Sequence, residues 1–145
     1  MRKPLVVTGT VGKDVHVIGT KILSRALREA GFEVLELGCL VPPEEFIRQA
    51  KENGADAILM SSLYGMAELD LKGFKERCET EGLSDVILYI GGILSVGKED
   101  FAETEAKFKR LGFHRVYPPE VDLKQAIEDL IGDLKMRGKW KEGGC

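Results

Sequence analysis

Apolar positions fall into short runs that alternate with amphipathic stretches along the whole chain. PLVVTGT (4–10) is a compact apolar run of the kind that forms a strand buried on both faces. Ile22, Leu23, Ala26, Leu27 and Ala30 then recur at helical spacing, and Gly31 stops that helix. FEVLELG (32–38) alternates as a strand, after which Pro42 and Pro43 open a second helix with Phe46, Ile47 and Ala50 on one face. DAILMSS (56–62) predicts a third strand and residues 67–81 a third helix. DVILYIGG (85–92) predicts a fourth strand ending in a glycine pair. Residues 99–111 follow as a helix with Phe101, Ala106, Phe108 and Leu111 inward. HRVYPP (114–119) is a short fifth strand, and the last helix carries Ala126, Ile127, Leu130, Ile131 and Leu134 on one stripe.

Five strand–helix units predict an α/β domain: a doubly wound, mainly parallel five-stranded sheet with helices on both faces and right-handed crossovers. No shift in composition and no internal repeat marks a second domain, so residues 1–137 are expected to be one domain and 138–145 a disordered tail. Ligands of such sheets sit beyond the carboxyl ends of the strands. That rule selects the loops 9–19, 38–43, 61–67 and 91–97.

Composition narrows the classes. The chain has 145 residues, 43% of them hydrophobic, enough for a substantial core. With 21 basic and 24 acidic residues and no basic block, it carries no nucleic-acid footprint. No apolar run reaches the roughly 20 residues that span a bilayer, and MRKPLVVTG is too short and glycine-broken for a signal peptide. The expected localisation is cytoplasmic, with neither membrane nor nucleic acid as partner. Cys39, Cys78 and Cys145 form neither a CxxC pair nor a zinc pattern. Cys39 and Cys78 read as buried thiols, and Cys145 as an exposed tail residue.

The loops hold three candidate chemistries. Thr8 and Thr10 suggest a hydroxyl-rich phosphate turn, but Val11, Val15 and Asp14 fill the rest of it unfavourably. Gly92, Gly97 and Lys98 satisfy GxxxxGK, yet Glu99 stands where a nucleotide loop needs Ser or Thr for magnesium. Asp14 and His16, two apart, project to one side of an extended chain. A carboxylate there can fix the imidazole tautomer and leave the other nitrogen free as a ligand. A solvated loop histidine beside an aspartate, the commoner situation, has the same spacing. A lone histidine also cannot hold a bare ion; its metal would have to arrive already caged, as in a macrocycle. Ser61-Ser62-Leu63-Tyr64-Gly65 and Gly91-Gly92 close the third and fourth strands with hydroxyls and missing side chains. They leave room for a polar-lipped channel.

Asp14-Val15-His16-Val17-Ile18-Gly19 resembles the DxHxxG motif of cobalamin-binding domains, Ser61-Ser62-Leu63 their SxL, and Gly91-Gly92 their GG. SSLYGMAELDLKG (61–73), LYIGGILSVGKEDF (88–101) and RVYPP (115–119) narrow the resemblance to the small B12-binding subunits of glutamate mutase, over residues 3–135. The fold so implied is a flavodoxin-like, Rossmann-like cobalamin-binding domain. The resemblance implies His16 as the lower axial ligand of cobalt and Asp14 as its hydrogen-bonded support. Val17 belongs to the same motif, Lys13 would stand near the corrin edge, and Gly19 would let the helix pass close to the corrin tail. Ser61 would donate to the displaced benzimidazole and Leu63 pack on it, with Tyr64 and Gly65 continuing that stretch. Gly91 and Gly92 would make room for the nucleotide tail, and Tyr117 and Pro118 would close its far wall. Ile93 departs from the polar residue expected after the glycine pair.

The resemblance further implies adenosylcobalamin as cofactor and radical rearrangement of L-glutamate to threo-3-methylaspartate, with no catalytic residue on this chain. It implies a large, barrel-type catalytic subunit (epsilon) in a heterotetramer, capping the exposed face of the macrocycle. Loops 64–67 and 93–97 are the candidate contacts. Other members of the class stay open: the cobalamin subunit of another mutase, or a corrinoid methyl carrier, although carriers bring an N-terminal helical cap. A cofactor-free signalling module would place acids where Thr8-Gly9 and Ser61-Ser62 stand.

Overall fold

The computed structural model describes residues 4–11, 18–62, 71–92, 101–117 and 123–138. Five strands, β1 (Leu5–Thr10), β2 (Glu33–Glu36), β3 (Ala57–Ser62), β4 (Ile87–Gly92) and β5 (Arg115–Tyr117), form one sheet. Its order is β2-β1-β3-β4-β5, every pair parallel. Helices α1 (Ile18–Glu29), α2 (Pro43–Asn53), α3 (Phe74–Thr80), α4 (Phe101–Arg110) and α5 (Leu123–Met136) cover both faces. The doubly wound sheet expected from the alternation is therefore what forms.

Strand alternation divides the core in two. Val7, Ile58, Met60, Leu88 and Ile90 pack with Phe46, Ile47 and Ala50 of α2, Phe74 and Cys78 of α3, and Phe108 of α4. Val6, Ala57, Leu59, Ile87 and Tyr89 pack on the other side with Leu27 of α1 and Ile127, Leu130 and Leu134 of α5. Burial pushes the Cys78 thiol up to about 11, so it is an inert apolar filler at neutral pH.

Several local expectations need correction. The helix expected over 67–81 is shorter. Residues 71–73 form a turn, Gly73 takes φ +75°, and the helix runs only from Phe74 to Thr80. The left-handed glycine breaks a helical pattern that the apolar spacing of Leu71, Phe74 and Cys78 carries straight through. Ile22 is exposed, because it lies about 140° around the helix from Leu27. Ser24 takes an inward place instead. On α4 the inward positions are Thr104 and Phe108, and Ala106 between them faces solvent. Cys39 is half-buried in the β2–α2 connection, not enclosed. Cys145 lies outside the described residues.

The second histidine serves the sheet. At the amino end of β5, the His114 backbone N–H donates to the Leu88 carbonyl (2.8 Å), while His114 Nδ1 accepts the Leu88 N–H (3.0 Å). Nδ1 must be unprotonated to do so. Partial burial, then the charges of Arg137 and Lys75, hold this imidazole below its ordinary value of 6.5, against the opposing pull of Asp133. The unfolded chain therefore binds the proton first on acidification. Stability from this group is complete above pH 6.5 and falls as pH drops from there toward the depressed folded value. Urea midpoints measured between pH 7.5 and 5 should decline, with a shallower decline in His114→Asn, whose amide oxygen still accepts the Leu88 N–H. Equal slopes would remove His114 from the linkage.

Candidate functional site

The strand order reverses direction at β1, which has β2 on one side and β3 on the other. The crevice beyond the carboxyl ends of β1 and β3 is the switch point where doubly wound sheets take ligands. Register places Thr10 beside Ser61, Ser61 beside Gly91, and Gly91 beside Tyr117. One cross-strand row therefore reads hydroxyl, hydroxyl, no side chain, aromatic ring. Alternation puts it on the face that carries α1 and α5. One row further in, on the same face, the Thr8 and Ser24 hydroxyls hydrogen-bond at 2.8 Å with neither side chain exposed, tying β1 to α1.

The row is a slot whose floor is Gly91. A Cβ built there would lie 3.3 Å from Tyr117 Cβ and 3.6 Å from the Tyr117 carbonyl oxygen. Large apolar side chains stand in the row below, at Leu59 and Tyr89, where this row has Ser61 and Gly91. A flat group with a polar atom on the Ser61 side and an apolar edge on the Tyr117 side fits such a slot. A nucleotide tail carrying benzimidazole has that character. Ser62 faces the opposite way, and among the described residues its hydroxyl is the one buried side-chain polar atom without a hydrogen-bond partner.

Tyr117 is held from two sides. Its hydroxyl donates to Asp129 Oδ2 on α5 (2.7 Å), and its ring meets Tyr89 edge-on, 5.6 Å between centroids at 64°. Tyr89 in turn donates to Asp133, which also accepts from Arg115 Nε (2.9 Å) and Nη2 (3.1 Å). Hydrogen bonding from Arg115 keeps the Asp133 carboxyl below the usual carboxylate range. Burial, then the carboxylate each phenol faces, pushes both tyrosines far above their ordinary value. Both phenols therefore remain neutral donors at any working pH.

Of the residues selected from the sequence, Ser61, Gly91, Gly92 and Tyr117 meet at the ends of β3, β4 and β5, and Gly19 lies in the first turn of α1. Lys13, Asp14, His16, Val17, Leu63, Tyr64, Gly65 and Pro118 lie outside the described residues, as do loops 64–67 and 93–97 and the tail from 139 onward. Among the described residues no group of three or more His, Cys, Asp or Glu could hold a bare metal ion. No described helix is long and apolar enough to cross a membrane. Arg115, Asp129 and Asp133 escaped the sequence reading. Their signal was Gln125, Asp129 and Asp133 spaced four apart beside the apolar stripe of the last helix. Leu40, half exposed on the β2–α2 rim with φ +57°, carried no signal at all.

The B12 binding domain model matches residues 4–111. The glutamate mutase sigma subunit of Carboxydothermus hydrogenoformans is 52% identical over 134 residues, covering 92% of this chain and 98% of that protein. That of Treponema denticola is 48% identical over 133 residues, covering 92% and 96%. Among solved structures, a cobalamin-binding protein from Desulfitobacterium hafniense superimposes with a TM-score of 0.73 at 23% identity, covering 90% of this chain and 59% of that one. That likeness speaks to the fold.

Proposed function

The chain belongs to the B12-binding domain family and, within it, to the glutamate mutase sigma subunits, and we propose that it carries adenosylcobalamin for a separate catalytic subunit. The observation that carries this reading is the Thr10–Ser61–Gly91–Tyr117 row at the switch point. There the strands themselves carry two hydroxyls and a glycine, a row that would accommodate the nucleotide tail of the family's cofactor. When bound, adenosylcobalamin supplies the hydrogen-abstracting radical for carbon-skeleton rearrangement.

The chain's own residues bind and orient. His16 would hold the cobalt, and Asp14 would accept the N–H of its second nitrogen, which would fix the tautomer and raise ligand basicity. Val17 and Gly19 belong to the same motif, Gly19 in the first turn of α1, and Lys13 would take a place near the corrin edge. Ser61 would donate to the displaced base, Leu63 would pack on it, and Tyr64 and Gly65 would continue that stretch. Gly91 and Gly92 would supply room for the tail, and Tyr117 with Pro118 would close its far wall. The substrate, L-glutamate, belongs to the partner, a barrel-type subunit that caps the macrocycle and keeps water from it. The two assemble as a heterotetramer.

Reconstitution of nitrogen-15-labelled chain with unlabelled cob(II)alamin tests the ligand. Electron paramagnetic resonance should show the cobalt lines split into pairs by one nitrogen-15 from His16. Triplets from the cofactor's own nitrogen-14 base would refute it. Turnover of L-glutamate by the chain without its partner would refute the division of labour.

A further inference from the structure

We propose that Arg115, Asp129, Asp133 and Tyr89 are positioning residues that set the far wall of the tail slot by locking the Tyr117 ring against α5. The inference rests on the cobalamin reading and adds residues to it. β5 is three residues long and ends the strand order, so it has a sheet neighbour on one side only. Its backbone alone is a weak mount for a wall. The side chains compensate. Asp129 takes the Tyr117 hydroxyl and is itself held by Gln125 Nε2 (3.0 Å), with Arg115 Nη1 at 3.8 Å. Arg115 is fixed by two hydrogen bonds to Asp133, and Asp133 also accepts from Tyr89, whose ring edge abuts Tyr117.

The arrangement has a chemical consequence. Engaging the hydroxyl with α5 leaves Tyr117 Cβ and its backbone carbonyl as the atoms beside Gly91, so that side of the slot is held in place. Partly exposed ion pairs contribute little to stability. Six side chains joined in one network therefore do more than folding asks of a three-residue strand. Gly91, whose missing Cβ would come within 3.3 Å of Tyr117 Cβ, shows how closely the slot is drawn to that residue.

The test compares cobalamin with cobinamide, which has the same corrin and cobalt but no nucleotide. Both are titrated by corrin absorbance into the full chain and into Tyr117→Phe, Asp129→Leu and Asp129→Asn. Tyr117→Phe and Asp129→Leu should raise the cobalamin Kd about fivefold to tenfold, the scale of one lost hydrogen bond, and leave the cobinamide Kd unchanged. Asp129→Asn, which keeps an acceptor oxygen, should recover most of the loss. Parallel weakening of both ligands would reduce the clamp to a folding element and overturn the proposal. So would unchanged cobalamin affinity in Asp129→Leu. Failure of the unmodified chain to bind either corrinoid would instead overturn the cofactor reading, and this inference with it.

Discussion

Gly91→Val is expected to weaken cobalamin binding by about 100-fold while sparing cobinamide, because overfilling a closely packed site costs on the scale of a few kcal/mol. Neighbouring strands stand about 4.8 Å apart, so a side chain at Gly91 sits directly between Ser61 and Tyr117. The first carbon alone would need Tyr117 to give way by a few tenths of an ångström. Tyr117 has little freedom to yield, being tied to Asp129 and backed by Tyr89. The two methyl groups beyond it would occupy the slot itself. Valine is favoured in strands, so the sheet should tolerate the change. A thermal midpoint near that of the parent, with cobinamide uptake intact, would place the loss in the slot. Cobalamin affinity close to the parent's would mean that the nucleotide does not use this row.

Much of this architecture was written in local pattern. A parallel strand is buried on both faces, so PLVVTGT, DAILMSS and DVILYIGG stand out as apolar runs, and the stripes of α2 and α5 announce their buried sides. Hydroxyls and glycines at the ends of those runs fall at the carboxyl edge of the sheet. The failures have a common cause. Ile22 and Ala106 looked inward because a window of apolar residues does not fix the rotation of a helix about its axis to better than one position. Ser24 and Thr104 took the inward places and left those residues outside. The cross-strand row depends on register, where a slip of one residue would exchange the two faces. The clamp depends on both: β5 must pair so that Arg115 and Tyr117 share a face, and α5 must turn Asp129 and Asp133 toward them. Acids four apart on a helix otherwise read as a solvated face. Nothing local tells Leu40 to adopt φ +57°.

Phe46→Ala should cost about 3–5 kcal/mol, the usual range for emptying a buried aromatic site, and lower the thermal midpoint by roughly 10–15 °C in a domain of this size. The ring is fully buried, and it reaches across from α2 to the middle of the sheet. A Cβ on Gly9 would lie 3.0 Å from Phe46 Cζ, 3.1 Å from Cε1 and 3.3 Å from Leu37 Cβ. β1 is thus a glycine at this point because a phenyl ring occupies the space of its side chain. Gly9→Ala alone should destabilise by forcing that ring back. In the Phe46→Ala background the same methyl group enters vacated space, so the double variant should be more stable than the sum of the two losses by about 1 kcal/mol or more. Urea unfolding of the four proteins measures that coupling, and strict additivity would show that Gly9 and Phe46 do not share one volume. The contact lies one residue before Thr10, so it also decides how firmly the hydroxyl end of the slot is held from behind. A loosened Phe46 site should therefore weaken cobalamin binding as well as lower the midpoint, whereas His114→Asn, at the opposite end of the sheet, should not.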